Sequence, residues 1–141
     1  MTTRTTIALA AILVAVAPGA ARAAEGASGA GEEVEVTSGV VTGTSCALEA
    51  REKGDLRILT SCPPAEAQKG MVVFDVAEKR IYRLSEKKVF RFMLESAYGG
   101  GSIDFTGKTV KLDPKTAIAT VDVSDFSITK KPKPGAFKGC L

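Results

Sequence analysis

The chain has 141 residues, a length typical of one domain. It contains no histidine, which excludes Ser-His and Cys-His nucleophile pairs and every imidazole metal ligand. The formal net charge of +3 is too small to indicate a nucleic-acid-binding protein by bulk electrostatics.

The first 23 residues have the features of a secretory signal peptide. Arg4 supplies a positive charge, residues 7–17 form an apolar run, and Ala21-Arg22-Ala23 matches the small-x-small cleavage pattern. The run is shorter than the roughly 20 residues that span a bilayer, and a membrane anchor or buried helix is the alternative. We expect cleavage after Ala23, export to the periplasm or the extracellular space, and no membrane span in the mature chain.

Signal cleavage also changes the charge balance. It removes Arg4 and Arg22 but no acidic residue, so the net charge decreases to +1. A nearly neutral exported protein has no strong overall field to steer it to nucleic acid or to anionic lipid.

The mature chain divides into a leader at residues 24–33, a central domain at residues 34–128 and a tail at residues 129–141. The leader is too small and polar for burial, so we expect it to be disordered. The tail is rich in lysine, proline and glycine, which predicts an extended, solvated segment. Attraction between tail and leader, or binding of the tail to an acidic partner, is the alternative.

Three strand patterns open the central domain. The first contains Val34, Val36, Val40 and Val41, and Gly39 within it indicates a bulge or bend. Residues 71–76 predict a short buried strand. Residues 80–84 alternate, with Tyr82 and Leu84 on one face, and predict the third strand.

A helical period follows over residues 86–98, with Ser85 as the expected N-cap. We expect this helix to close one end of the fold through one apolar stripe, which consists of Val89, Phe90, Met93 and Leu94.

Two further strands complete the domain. Residues 109–112 alternate, residues 113–116 predict a turn, and residues 117–128 predict a long last strand. The alternation slips by one position near Ser124 and Asp125, which predicts a bulge there.

The order of three strands, a helix and two strands is that of an OB-fold, a five-stranded Greek-key barrel. The predicted fold class is therefore mostly β, with one helix between the third and fourth strands. We expect Phe74, Phe90 and Phe126 to fill the barrel, and Tyr82 either joins them or lies on a surface.

Several short motifs resemble those of small exported bacterial OB-fold proteins. They lie at residues 39–43, Cys46, Cys62, residues 70–75, 81–84 and 107–111. The resemblance covers residues 34–128 and implies the same barrel. Members often carry a histidine and a further cysteine near the second cysteine, and residues 59–66 carry neither.

The three cysteines are an odd number for an exported chain, in which disulfides persist. We favour a Cys46–Cys62 bridge, because both residues lie in or beside the long connection after the first strand. Closing a loop of about 16 residues stabilises a fold by about 3 kcal/mol in the chain-entropy model. Cys140 is then unpaired or intermolecular. A bridge from Cys140 to either other cysteine, and a cysteine metal site, are the alternatives.

The candidate binding face consists of Arg80, Tyr82 and Arg83, where an aromatic ring lies between two cations. No catalytic constellation, metal site or cofactor motif is recognised, so we expect neither enzyme activity nor a cofactor. The leading hypothesis is an exported non-enzymatic module that binds a protein or glycan partner or acts as an assembly subunit. The alternatives are an oligonucleotide-binding OB-fold and a cysteine-based redox or metal-handling protein.

Overall fold

The computed structural model describes residues 29–132. The predicted signal peptide, residues 24–28 of the leader, and residues 133–141 with Cys140 lie outside the described residues. In chain order the elements are β1 (Glu33–Gly43), α1 (Thr44–Lys53), α2 (Arg57–Thr60), α3 (Pro64–Lys69), β2 (Met71–Asp75), β3 (Arg80–Leu84), α4 (Arg91–Ala97), β4 (Ser102–Leu112) and β5 (Ile118–Lys130).

The five strands form a closed barrel in the order β1-β2-β3-β5-β4. β1 pairs antiparallel with both β2 and β4, and β3 pairs parallel with β5. The remaining pairs, β2 with β3 and β4 with β5, are antiparallel. This OB-like barrel, with α4 between β3 and β4, confirms the predicted fold class.

Bulges bend the long strands where the sequence predicts them. Thr106 pairs with Asp125 and Gly107 pairs with Val123, so Ser124 is the extra residue of a bulge in β5. In β1 the register shifts between Val36 and Gly39. Both predicted bulges are confirmed.

The core has two layers. The first fills the barrel and includes Val36, Val73, Tyr82, Phe105 and Val121. The second lies outside the barrel wall, where α1 and α2 pack on β2, β3 and β5; its buried members are Ala47, Ala50, Leu59, Val72, Phe74, Ile81 and Ile118. Because helices cover its outer side, β2 is buried on both faces.

The expected positions of the phenylalanines require correction. Phe74 is fully buried, but in the outer layer rather than inside the barrel. Phe126 is only partly buried against the barrel core. Phe90 is 51% exposed and does not belong to the core.

The exposure of Phe90 follows from where α4 begins. The helix starts at Arg91, and Phe90 precedes it with extended backbone at ψ 154°. Ser85 is not the N-cap. It directly follows β3 and extends its pairing with β5, because the Ser85 N–H donates a hydrogen bond to the Val121 carbonyl. Val89 and Leu94 do close one end of the barrel, with 1% and 7% exposure.

The connection between β1 and β2 also differs from expectation. The sequence predicts only a long connection that contains Cys46, and the structure forms three helices there, α1, α2 and α3. At the other end of the domain, β5 continues to Lys130, past the predicted boundary at Ile128. Within residues 29–132, no helix has the length and apolarity needed to cross a membrane.

Candidate binding site

A disulfide fastens the three helices between β1 and β2 to one another. Cys46 in α1 is bonded to Cys62, which lies between α2 and α3. The Tyr98 hydroxyl at the end of α4 lies 3.1 Å from the Cys62 carbonyl and 2.9 Å from the Pro63 carbonyl. The bridged segment is therefore held to the helix that closes the barrel.

Tyr82 and Tyr98 are the only tyrosines in the chain, and both are buried. Burial raises the pKa of Tyr82, and burial together with the charge of Glu66 raises the pKa of Tyr98 to about 12.

We therefore expect neither tyrosine of the native protein to ionise at the usual pKa of about 10. In the unfolded chain they ionise first, so the stability that Tyr98 contributes is present below pH 10 and is lost as the pH rises to about 12. Absorbance of the tyrosinate form during an alkaline titration measures this, and Tyr98→Phe removes the step near pH 12. A native midpoint near 10 would contradict the burial of both rings.

The predicted binding face of Arg80, Tyr82 and Arg83 is not one surface. Tyr82 is 2% exposed and lies inside the barrel, where its ring meets Phe105 edge to face at 5.7 Å. Arg80 begins β3 and lies 3.6 Å from Glu32. Arg83 points to the outer face because alternate residues of a strand face opposite sides. Tyr82 therefore cannot stack on a ligand, and only Arg83 remains a candidate.

Two cations on the strands that flank β5, and one in the turn between β4 and β5, form an exposed basic shelf, which we define as Arg83, Lys111 and Lys115. Arg83 pairs with Thr120 in β5, and Thr120 pairs with Lys111 in β4. Because neighbouring strands lie about 4.8 Å apart, the backbones of Arg83 and Lys111 are about 10 Å apart. The shelf lines a groove of about 350 Å³.

The charge of the shelf is available for binding. Within residues 29–132, none of its three cations takes part in an ion pair. The nearby Asp113 carboxylate accepts the Lys115 N–H at 2.9 Å. Hydrogen bonds from Lys115 and Thr116 lower the pKa of Asp113, so its carboxylate stays ionised within its own turn. The shelf retains a positive excess of two charges.

An apolar cleft of about 370 Å³ adjoins the shelf. Met71, Leu84, Val89 and Leu94 line it, and Arg83 lines both the cleft and the shelf groove. A ligand that carries an apolar group and negative charge could therefore occupy both parts.

α1 and α2 restrict access to the remainder of this barrel face. OB-folds commonly bind ligands on strands two and three, together with the loops after strands one and four. Here Phe74, Ile81 and Ile118 on that face are covered by the helices. Arg51 of α1 also donates to the Thr116 carbonyl in the β4–β5 turn at 2.7 Å. The end of the face at Arg83 and Thr120 is left for binding.

A third groove, of about 690 Å³, has charges that neutralise one another. Lys87 pairs with Asp122 at 3.1 Å, and Lys108 lies 3.9 Å from Glu33. Its carboxylates and ammonium groups leave less net charge for a ligand than the shelf offers.

Lys111 and Lys115 were not among the binding residues predicted from the sequence. The signal was present, because Lys111 lies in the fourth predicted strand and Lys115 in the predicted turn. Arg83 and Lys111 lie on either side of Thr120 because β3 pairs parallel with β5, and no local pattern in the sequence predicts that strand pair.

Compared with known protein families, curated proteins and solved structures, the chain has no significant match. In the part of the chain that the structure describes, no group of three potential metal-ligating residues lies together. Cys46 and Cys62 are joined to each other, so neither thiol is available to a metal.

Proposed function

We propose that the chain is an exported, non-enzymatic binding module, and that an acidic protein segment is its partner. The carrying observation is the basic shelf of Arg83, Lys111 and Lys115 beside an apolar cleft. A peptide with carboxylates and one apolar side chain matches this combination, since complementary charge gives specificity and apolar burial gives affinity.

Export and kinship with the small exported bacterial OB-fold proteins belong to the same proposal. The apolar N-terminal run with its Ala21-Arg22-Ala23 pattern and the Cys46–Cys62 disulfide support export. The closed barrel in the order β1-β2-β3-β5-β4 supports the kinship.

The shelf favours a protein segment over an oligonucleotide. Single-stranded nucleic acid is bound by cations together with aromatic rings on which the bases stack. No aromatic residue lines the shelf groove or the apolar cleft, and Tyr82 lies inside the barrel.

Charge reversal on the shelf is expected to abolish partner capture. The mature protein is immobilised and used to capture partners from an envelope extract, alongside Arg83→Glu/Lys111→Glu. The matched control is Lys53→Glu/Arg57→Glu. It reverses the charge of one lysine and one arginine at exposed positions of α1 and α2. We expect at least about a tenfold loss of captured protein for the shelf variant only, and a decrease with salt for the parent.

Equal capture by the shelf variant and the control would contradict the proposal. Captured material that resists protease but not nuclease or glycosidase would replace the protein partner with a nucleic acid or a glycan.

A further inference from the structure

A short run at the closed end of the barrel combines exposed aromatic rings with cations. We define the Phe90–Phe92 patch as Lys87, Lys88, Phe90, Arg91 and Phe92, all of which are exposed. Phe90 is 51% and Phe92 67% exposed, and their rings lie parallel with centroids 5.9 Å apart. Two large apolar side chains on one surface run indicate an interaction site rather than scattered exposure.

The patch is held in place by its buried neighbours. Val89 lies within the run and Leu94 follows it, and both belong to the barrel core. The aromatic pair is therefore presented by a fixed backbone, so binding costs little ordering.

The cations of the patch stay at the surface although two of them form ion pairs. Lys87 pairs with Asp122 at 3.1 Å, and Arg91 pairs with Glu95 at 2.8 Å. The Lys87 and Arg91 side chains remain 72% and 50% exposed, and Lys88 forms no ion pair with any residue in 29–132. Glu86, which is also exposed, precedes these three cations, so residues 86–92 carry a net charge of +2, and Lys88 is the cation that no carboxylate of residues 29–132 pairs with.

We propose that the Phe90–Phe92 patch docks on the surface of a bilayer that contains anionic phospholipid. Neither ring lines any of the described grooves, so both rings project from the surface beside the three cations, where a flat partner such as a bilayer can meet them together. Phenylalanine inserts at the boundary between headgroups and acyl chains, while lysine and arginine beside it keep their charges among the anionic headgroups.

The absence of tryptophan from the chain permits a clean test. Full-length mature Phe92→Trp is titrated with vesicles of phosphatidylglycerol and phosphatidylcholine and with vesicles of phosphatidylcholine alone. We expect the tryptophan emission to shift to shorter wavelength only with the anionic vesicles, and lipids brominated on their acyl chains to quench it.

Leu56→Trp provides the matched control reporter. Leu56 is 44% exposed, but it lies beside the Asp55–Arg57 ion pair at 2.9 Å rather than among cations. Its emission should not change with either vesicle. An unchanged Phe92→Trp emission, or an equal shift of both reporters, would overturn the proposal.

Two variants in the Phe92→Trp background separate the contributions of charge and ring. Lys87→Gln/Lys88→Gln and Phe90→Ala should each weaken vesicle partitioning about tenfold, and added salt should weaken partitioning less in the lysine variant, which keeps only Arg91 of the three cations. Unaltered partitioning in both would overturn the assignment. Arg83→Glu/Lys111→Glu should still bind vesicles, which distinguishes this proposal from the acidic partner of the shelf.

Discussion

Replacing Cys46 and Cys62 together by alanine is expected to lower the free energy of unfolding by about 2–5 kcal/mol. The bridge joins residues 16 positions apart and holds α1, α2 and α3 together. Without it, the unfolded chain gains freedom, and α1, which helps to cover Phe74 and Ile81, loses its link to the segment that Tyr98 holds. Urea unfolding followed by circular dichroism measures the change.

The same double variant should become sensitive to trypsin at Arg51, Lys53 and Arg57 before the strands are cut, because these residues lie on the segment that the bridge fastens. Cys140→Ser is the control, since Cys140 takes no part in the bridge, and we expect it to leave stability nearly unchanged. Parent-like unfolding of the double variant, or a peptide that joins Cys140 to Cys46 or Cys62 on non-reducing mapping, would contradict this structure of the connection.

The barrel could be predicted from the sequence because its strands carry their own signals. Alternation places Tyr82 and Leu84 on one face whatever the partner strand, and the slip near Ser124 marks a bulge without knowledge of its neighbour. The order of the elements then favours an OB-like topology among the many arrangements that a protein of this size can adopt.

The covering helices could not be predicted in the same way. α1 buries only small residues, Ala47 and Ala50 beside Cys46, so its sequence lacks a stripe of large apolar side chains. Its stability depends on contacts with the outer side of β2 and β3 and on the disulfide, which are far away in the chain. For the same reason the sequence predicts Phe74 inside the barrel, whereas the structure buries it on the outer face beneath α1 and α2.

The basic shelf could not be predicted from the sequence for a related reason. Arg83 and Lys111 are single cations on separate strands, and either one alone indicates only a solvated surface. The closed barrel brings them to the two sides of Thr120. Tyr82, by contrast, is an aromatic residue that the sequence shows between two cations. Its side chain nevertheless points into the barrel, because alternate residues of β3 face opposite sides.

The last prediction contrasts two phenylalanines. Phe74→Ala should cost about 3–5 kcal/mol, because its side chain is fully buried beneath α1 and α2 and its removal leaves a cavity. Phe90→Ala should unfold nearly as the parent does, because half of the Phe90 side chain is already in contact with solvent. With a total stability of about 5–15 kcal/mol for a typical domain, only the first change threatens folding.

Urea unfolding of both variants beside the parent provides the measurement, since the two changes delete the same atoms from different surroundings. A small cost at Phe74 would mean that α1 and α2 do not close over β2, and the outer half of the core would then be wrong. A large cost at Phe90 would mean that the helical stripe begins before Arg91 and that this ring enters the barrel. A buried Phe90 would also leave the Phe90–Phe92 patch with one exposed ring instead of two. The comparison therefore tests the outer layer of the core and the surface patch together.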